Sequence, residues 1–248
     1  MVKQYFRPKT LIEALETLRA DKQALALSGG TYLLGSRFRD ASMSLVAILG
    51  LLPRKIELHG HTLTIGAGTT FQEILDSPLS PPVLKSAVLG MADRNIRNRA
   101  TVGGNIGADK SCASLAPLFL AACARYRLAG GGTVPAEIWH GAAHHQNHEI
   151  IEYVEIDFPH DKLFAYGKYS RTSCDLAVIT CAVCAYPGSG GEYQDIKTAL
   201  GGLSLHPRLF LEAETLVPLS DLRGSSDFKR RRAGILLAEV RASLARQS

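Results

Sequence analysis

The chain reads as an α+β protein. Helices and strands interleave over its first half, strands with hairpin-like links follow, and helices close it. Three observations carry this reading. Thr10 with Glu13, and Thr70 with Glu73, each form the S/T-x-x-E pattern that opens a helix. Leu63 and Ile65 alternate with Thr62 and Thr64, as in a half-buried strand. Pro187-Gly188-Ser189-Gly190-Gly191 separates two strand-like runs, as a hairpin link does.

The elements follow in order. After Thr10, Leu11, Leu15 and Leu18 share one helical face. Residues 24–27 read as a short strand that delivers Ser28-Gly29-Gly30 at its end. Residues 45–49 read as a second strand, and 53–60 as a connection to a second lobe. A helix follows Thr70, and another covers 83–91. Ser114 stands where it would cap a helix burying Leu115, Leu118, Phe119 and Ala122. Strands are expected at 150–158, 162–169, 176–185 and 194–200. The last helix takes Asp227 as its cap and turns Ile235, Leu236, Val240 and Leu244 inward.

Two glycine-rich stretches carry the chemistry. One is Leu27-Ser28-Gly29-Gly30-Thr31-Tyr32-Leu33 and the other Thr101-Val102-Gly103-Gly104-Asn105. Glycine lets the backbone turn freely and approach a ligand closely, and successive free N–H groups form a concave anion site. One such stretch equally suits a tight turn. Two suggest a pyrophosphate gripped from both sides. Neither is a G-x-x-x-x-G-K-[ST] loop or a G-x-G-x-x-G dinucleotide turn, and Ile65-Gly66-Ala67-Gly68-Thr69 has only part of the latter. The usual nicotinamide-binding fold is therefore not expected.

The 248 residues, 46% of them hydrophobic, can bury a sizeable core. No apolar run approaches the roughly 20 residues of a membrane span, and the N-terminus reads as an amphipathic segment, not a signal peptide. A cytoplasmic protein is expected. The net charge of +5 is mild. Lys229-Arg230-Arg231-Arg232 reads as a solvated helix face, because aromatic residues do not interleave with it beyond Phe228. No nucleic-acid partner follows.

Cys181 and Cys184 form a C-x-x-C on a strand, where positions i and i+3 face opposite ways and cannot share a metal. With Cys112, Cys123 and Cys174 they read as reduced thiols, without iron–sulfur spacing. His140, His144 and His148 have i,i+4 spacing that would suit zinc on a helix. Gly141 interrupts the stretch, so these residues and His145 read as a polar loop. No metal is expected.

The ordered set of Tyr5-Phe6-Arg7-Pro8, Ser28-Gly29-Gly30-Thr31, Ile65-Gly66-Ala67-Gly68-Thr69-Thr70, Ile96-Arg97-Asn98-Arg99, Thr101-Val102-Gly103-Gly104-Asn105, Lys168-Tyr169-Ser170-Arg171 and Ala199-Leu200-Gly201-Gly202 resembles the FAD-binding (medium) subunit of molybdenum hydroxylases. These are the flavoproteins of the carbon monoxide dehydrogenase and xanthine dehydrogenase type. The resemblance runs almost end to end. It implies a two-lobed FAD-binding domain over 1–160, with lobes at about 1–55 and 56–160. A C-terminal domain of antiparallel sheet and packed helices covers 161–248.

The resemblance also implies a site. Leu27, Ser28, Gly29, Gly30, Thr31, Tyr32 and Leu33 match the first pyrophosphate loop, and Thr101, Val102, Gly103, Gly104 and Asn105 the second. Lys168 matches a lysine near the flavin ring, or is a solvated strand lysine. Ile151 matches an apolar residue against the cofactor, or is plain core. Two departures stand out: Tyr32 replaces a frequent acidic residue, and Ser114 an aspartate that can bond the cofactor. The implied activity is electron transfer, as an oxidoreductase subunit with no catalytic acid or base of its own. Electrons would come from a molybdenum-binding large subunit through an iron–sulfur small subunit. They would leave to NAD+ or another acceptor. A flavin-free scaffold and a stand-alone flavin oxidoreductase are the alternatives.

Overall fold

The computed structural model describes residues 2–35, 43–141, 149–211 and 216–247. The elements of the first part are β1 (Val2–Phe6), α1 (Leu11–Ala20), β2 (Ala24–Leu27), β3 (Met43–Ala47), β4 (Ile56–His59), β5 (Thr62–Gly66), α2 (Phe71–Asp76) and α3 (Pro82–Leu89). Next come α4 (Arg94–Arg97), α5 (Val102–Gly107), α6 (Ala116–Ala121), β6 (Arg125–Leu128), β7 (Thr133–Pro135) and α7 (Ala136–Trp139). Then follow β8 (Ile151–Asp157), β9 (Leu163–Tyr169), β10 (Ile179–Pro187), β11 (Tyr193–Gly201), β12 (Arg208–Phe210) and α8 (Ser226–Ala245). This is the α+β class, in three sheets.

The first sheet is parallel, in the order β1-β3-β2. Parallel strands need a crossover, and α1 lies between β1 and β2 in the chain. Thr10 starts α1 by accepting the Glu13 N–H at 3.1 Å, while Glu13 reaches back to the Lys9 N–H at 2.7 Å. Leu15 and Leu18 are buried as their spacing predicts, and Leu11 is half-buried. β1 has no counterpart in the sequence reading. It is largely exposed, and only pairing with β3 makes it a strand. β3 begins two residues ahead of the expected strand.

The second sheet, β4-β5-β8-β6-β7, is antiparallel throughout. β4 occupies the expected connection, and β6 and β7 form a hairpin around Gly130–Gly132. These strands of three or four residues are too short to show a period of their own; their partners define them. α2 opens with the complete capping box: Thr70 accepts the Glu73 N–H at 3.2 Å, and Glu73 accepts the Thr70 N–H at 2.7 Å. Phe71 and Ile74 are buried behind it.

The third sheet, β12-β11-β10-β9, is antiparallel, and α8 packs on it. β10 is buried on both faces. Cys181, Val183 and Ala185 join Ala233, Leu236 and Val240 of α8, while Ala182 and Cys184 join the main core. The two cysteines thus face opposite ways, as strand geometry requires, and burial pushes each thiol up to about 12.

The structure departs from the sequence expectation at three places. Ser114 caps no helix: α6 begins at Ala116 with Leu115 as its N-cap and without a side-chain cap bond. One helix, α8, closes the chain, capped by Ser225, with Asp227 inside its first turn. The basic run is not one solvated face. Lys229 is buried and donates to Asp221 Oδ2 at 3.0 Å and to the Leu219 carbonyl at 2.9 Å. Arg232 lies 3.9 Å above the Tyr169 ring centroid. Among the described residues, no helix is long and apolar enough to cross a membrane.

Candidate functional site

The two glycine stretches, 73 positions apart at Ser28 and Thr101, meet in space: Ser28 Oγ lies 2.9 Å from Thr101 Oγ1. The first stretch leaves the carboxyl end of parallel strand β2, the end at which open α/β sheets hold ligands. Arg99 Nε donates to the Gly29 carbonyl at 3.3 Å. Gly29 is buried, and a Cβ there would overlap the Arg99 carbonyl oxygen. Gly30 turns the chain at φ +75°, and the Leu34 N–H closes onto its carbonyl at 2.9 Å.

The second stretch is not an open loop. Val102–Gly107 is helix α5, with Thr101 as its N-cap accepting the Gly104 N–H at 3.1 Å. The Val102 N–H donates to the Thr69 carbonyl at 3.0 Å and the Gly103 N–H to the Ala67 carbonyl at 2.8 Å. Its leading N–H groups are therefore already paired. Gly103 is required for packing, since a Cβ there would stand 2.8 Å from Ala67 Cβ. Asn105 points onward, its Oδ1 accepting the Leu115 N–H at 3.2 Å.

Among the described residues, a consecutive row of free donors lies on the first stretch, whereas on the second only the Thr101 N–H has no acceptor. No hydrogen bond among the described residues uses the N–H of Ser28, Gly29, Gly30 or Thr31. A buried N–H without an acceptor, as at Gly29, is rare in a folded chain, and successive ones form an anion cradle. These residues fit a dinucleotide pyrophosphate. Tyr32 follows in the same turn, with Lys110 Nζ 5.0 Å from its ring centroid. Leu27 ends β2, and Leu33 is half-buried within the turn.

The remaining expected residues lie elsewhere in the fold. Ser114 is buried ahead of α6. Ile151 is buried at the start of β8, within the main core. Lys168, on β9, donates to the backbone carbonyls of Gly90, Ser173 (3.3 Å) and Asp175 (2.6 Å). It ties the end of α3 to the loop after β9. Partial burial pulls its ammonium pKa below the usual lysine value.

A polar knot sits at the far end of α5. The Asp109 and His140 side chains are fully enclosed, with His140 Nδ1 2.5 Å from Asp109 Oδ1. Tyr126 Oη lies 3.0 Å from His140 Nε2. The Gly141 N–H donates to Asp109 Oδ2 at 3.1 Å, and His206 Nδ1 lies 2.7 Å from the same oxygen. Both ring nitrogens of His140 are thus engaged, which leaves neither for a metal. His144, His145 and His148 lie outside the described residues, among which no group of three ligating side chains could hold a metal. Sequence reasoning missed Asp109 and Lys110 because their partners are distant in the chain: His206 is 97 positions from Asp109.

A family model described as "FAD binding domain in molybdopterin dehydrogenase" matches residues 1–159. The carbon monoxide dehydrogenase medium chain of Hydrogenophaga pseudoflava is 29% identical, over 93% of this chain and 93% of that protein. An Escherichia coli xanthine dehydrogenase FAD-binding subunit is 30% identical, over 79% of this chain and 73% of its own. In a solved structure of the Hydrogenophaga pseudoflava carbon monoxide dehydrogenase, which lacks the Mo-pyranopterin moiety of its cofactor, one chain superposes with a TM-score of 0.83. That match has 27% identity and covers 97% of this chain and 96% of the other. The glycine stretches that meet at Ser28 and Thr101 both fall within the matched span, and the chain belongs to the FAD-binding domain family of the molybdopterin dehydrogenases, oxidoreductase subunits whose cofactor is FAD.

Proposed function

We propose that this chain is the FAD-carrying electron-transfer subunit of a molybdenum hydroxylase complex. FAD lies between the lobes of a 1–160 domain, with the 161–248 domain beside the ring. The observation that carries the reading is the unpartnered N–H row of Ser28, Gly29, Gly30 and Thr31, braced by Arg99 and Thr101. Leu27, Tyr32 and Leu33 complete the pyrophosphate loop. Thr101, Val102, Gly103, Gly104 and Asn105 form the opposing wall. Ser114, Ile151 and Lys168 complete the cofactor set. When bound, FAD supplies the redox chemistry, and the protein supplies position and charge.

The partners are a molybdenum-binding large subunit and an iron–sulfur small subunit, and the acceptor is NAD+ or another oxidant. The name of the related carbon monoxide dehydrogenase medium chain supports the existence of larger and smaller partner chains. The complex works in the cytoplasm.

Denaturing the purified complex is expected to release FAD with its visible absorption and leave this chain unmodified. A complex holding the large and small partners but no flavin after FAD saturation and desalting would sink the reading.

Lys168→Met is expected to lower the flavin midpoint potential, because a nearby cation favours the reduced anion. A fall on the order of 30 mV, about 1.4 kcal/mol for a two-electron couple, is the scale to look for. The three carbonyls around the ammonium add a cost in stability of about 2 kcal/mol. Spectroelectrochemical titration and urea unfolding separate the two effects. An unchanged potential in a fully loaded variant removes Lys168 from the site.

A further inference from the structure

We propose that Lys110 is a further cofactor-binding residue: it supplies the positive charge opposite the FAD pyrophosphate, and the Tyr32 ring holds it there. The inference rests on the FAD reading above and adds a residue to it. Backbone N–H groups of the first glycine stretch offer dipoles but no net charge, whereas a pyrophosphate carries about two negative charges. A cation beside that loop adds the net charge that the dipoles lack.

Among the described residues, Arg99 and Lys110 approach the loop. Arg99 has its Nε engaged with the Gly29 carbonyl, so it shapes the loop itself. The Lys110 side chain is exposed, and its ammonium forms no ion pair or hydrogen bond among the described residues. Its Nζ lies over the Tyr32 ring, 5.0 Å from the centroid. Tyr32 stands two positions after Gly30, in the turn that carries the unpartnered N–H groups. A carboxylate at position 32 would hold the ammonium and cancel it. An aromatic face holds it and leaves the charge available.

The position of Lys110 is also fixed. It directly follows Asp109, whose φ is +39° and whose carboxylate is bound by His140, Gly141 and His206. A strained residue persists only where its surroundings enforce it. The backbone that launches Lys110 is thus anchored at the end of α5, and the start of the same helix meets Ser28. The lysine therefore adds charge at the loop without supporting the fold.

The test is FAD affinity of the flavin-stripped full chain, followed by flavin fluorescence at several salt concentrations. Lys110→Met is expected to weaken FAD about tenfold at low salt and to flatten the salt dependence, because the charge being screened is gone. Lys110→Arg, which keeps the charge, is expected to restore both. An unchanged affinity in Lys110→Met overturns the proposal. So does a loss equal at every salt concentration, since it would report packing and not charge. A wild-type chain that takes up no FAD overturns the FAD reading itself, and this proposal with it.

Discussion

Gly29→Val is expected to abolish FAD binding, weakening it by about 100-fold or more, or roughly 3 kcal/mol. The cause is a backbone approach. Gly29 lies against the Arg99 carbonyl, and even a Cβ would overlap that oxygen. A β-branched side chain must drive the β2–α1 lobe away from the segment that leads into α5. That movement breaks the Arg99–Gly29 bond and the Ser28–Thr101 contact together, and it scatters the row of free N–H groups. Gly104 is less constrained: a Cβ there would stand 2.8 Å from its own cap, Thr101 Oγ1. Gly50, which has open space around it, is the matched control, and Gly50→Val should bind FAD normally. Isothermal titration of the three proteins, with circular dichroism to confirm folding, decides the matter. A folded Gly29→Val protein with wild-type affinity would falsify the placement of the pyrophosphate.

Asp109→Ala is expected to cost about 4 kcal/mol of stability. It leaves the enclosed His140 Nδ1 and the Gly141 N–H without their acceptor, and it also releases His206. Alanine further pays for the left-handed backbone at φ +39°, which aspartate tolerates better. Asp109→Asn keeps a side-chain oxygen acceptor and a similar tolerance of that backbone, so its loss should be about half as large. Because His206 precedes β12, on the third sheet, the damage should reach the contact between the 161–248 segment and the first 160 residues. Urea unfolding measures the loss, and limited proteolysis near residue 206 reports the loosened contact. An Asp109→Ala protein within 1 kcal/mol of wild type, on the scale of an ordinary surface substitution, would show that water replaces the carboxylate without cost.

Much of the fold was legible because its signals are local. The Thr70–Glu73 box starts α2 where the S/T-x-x-E pattern sets it. The apolar run before the first glycine pair is β2, with the bounds its sequence predicts. The C-x-x-C faces two different cores, as a strand of period two requires. Elements defined by their partners were not legible. β1 and β4 lack an alternating core face, and they are strands because β3 and β5 offer edges to pair with.

The candidate site divides in the same way. Sequence alone predicted that the two glycine-rich segments meet, as they do at Ser28 and Thr101, and it proposed a phosphate for them, because glycine's special uses are written in its identity. Only the tertiary structure decided which of the two offers free donors. α5 forms from Val102, its leading N–H groups pair with Ala67, Thr69 and Thr101, and among the described residues the first stretch is left with the consecutive unpartnered row. Only tertiary structure could bring Lys110 to Tyr32, or His206 to Asp109. Such pairs repeat with no period and follow no spacing rule. They are set by how the lobes pack, and packing depends on contacts between residues far apart in the chain.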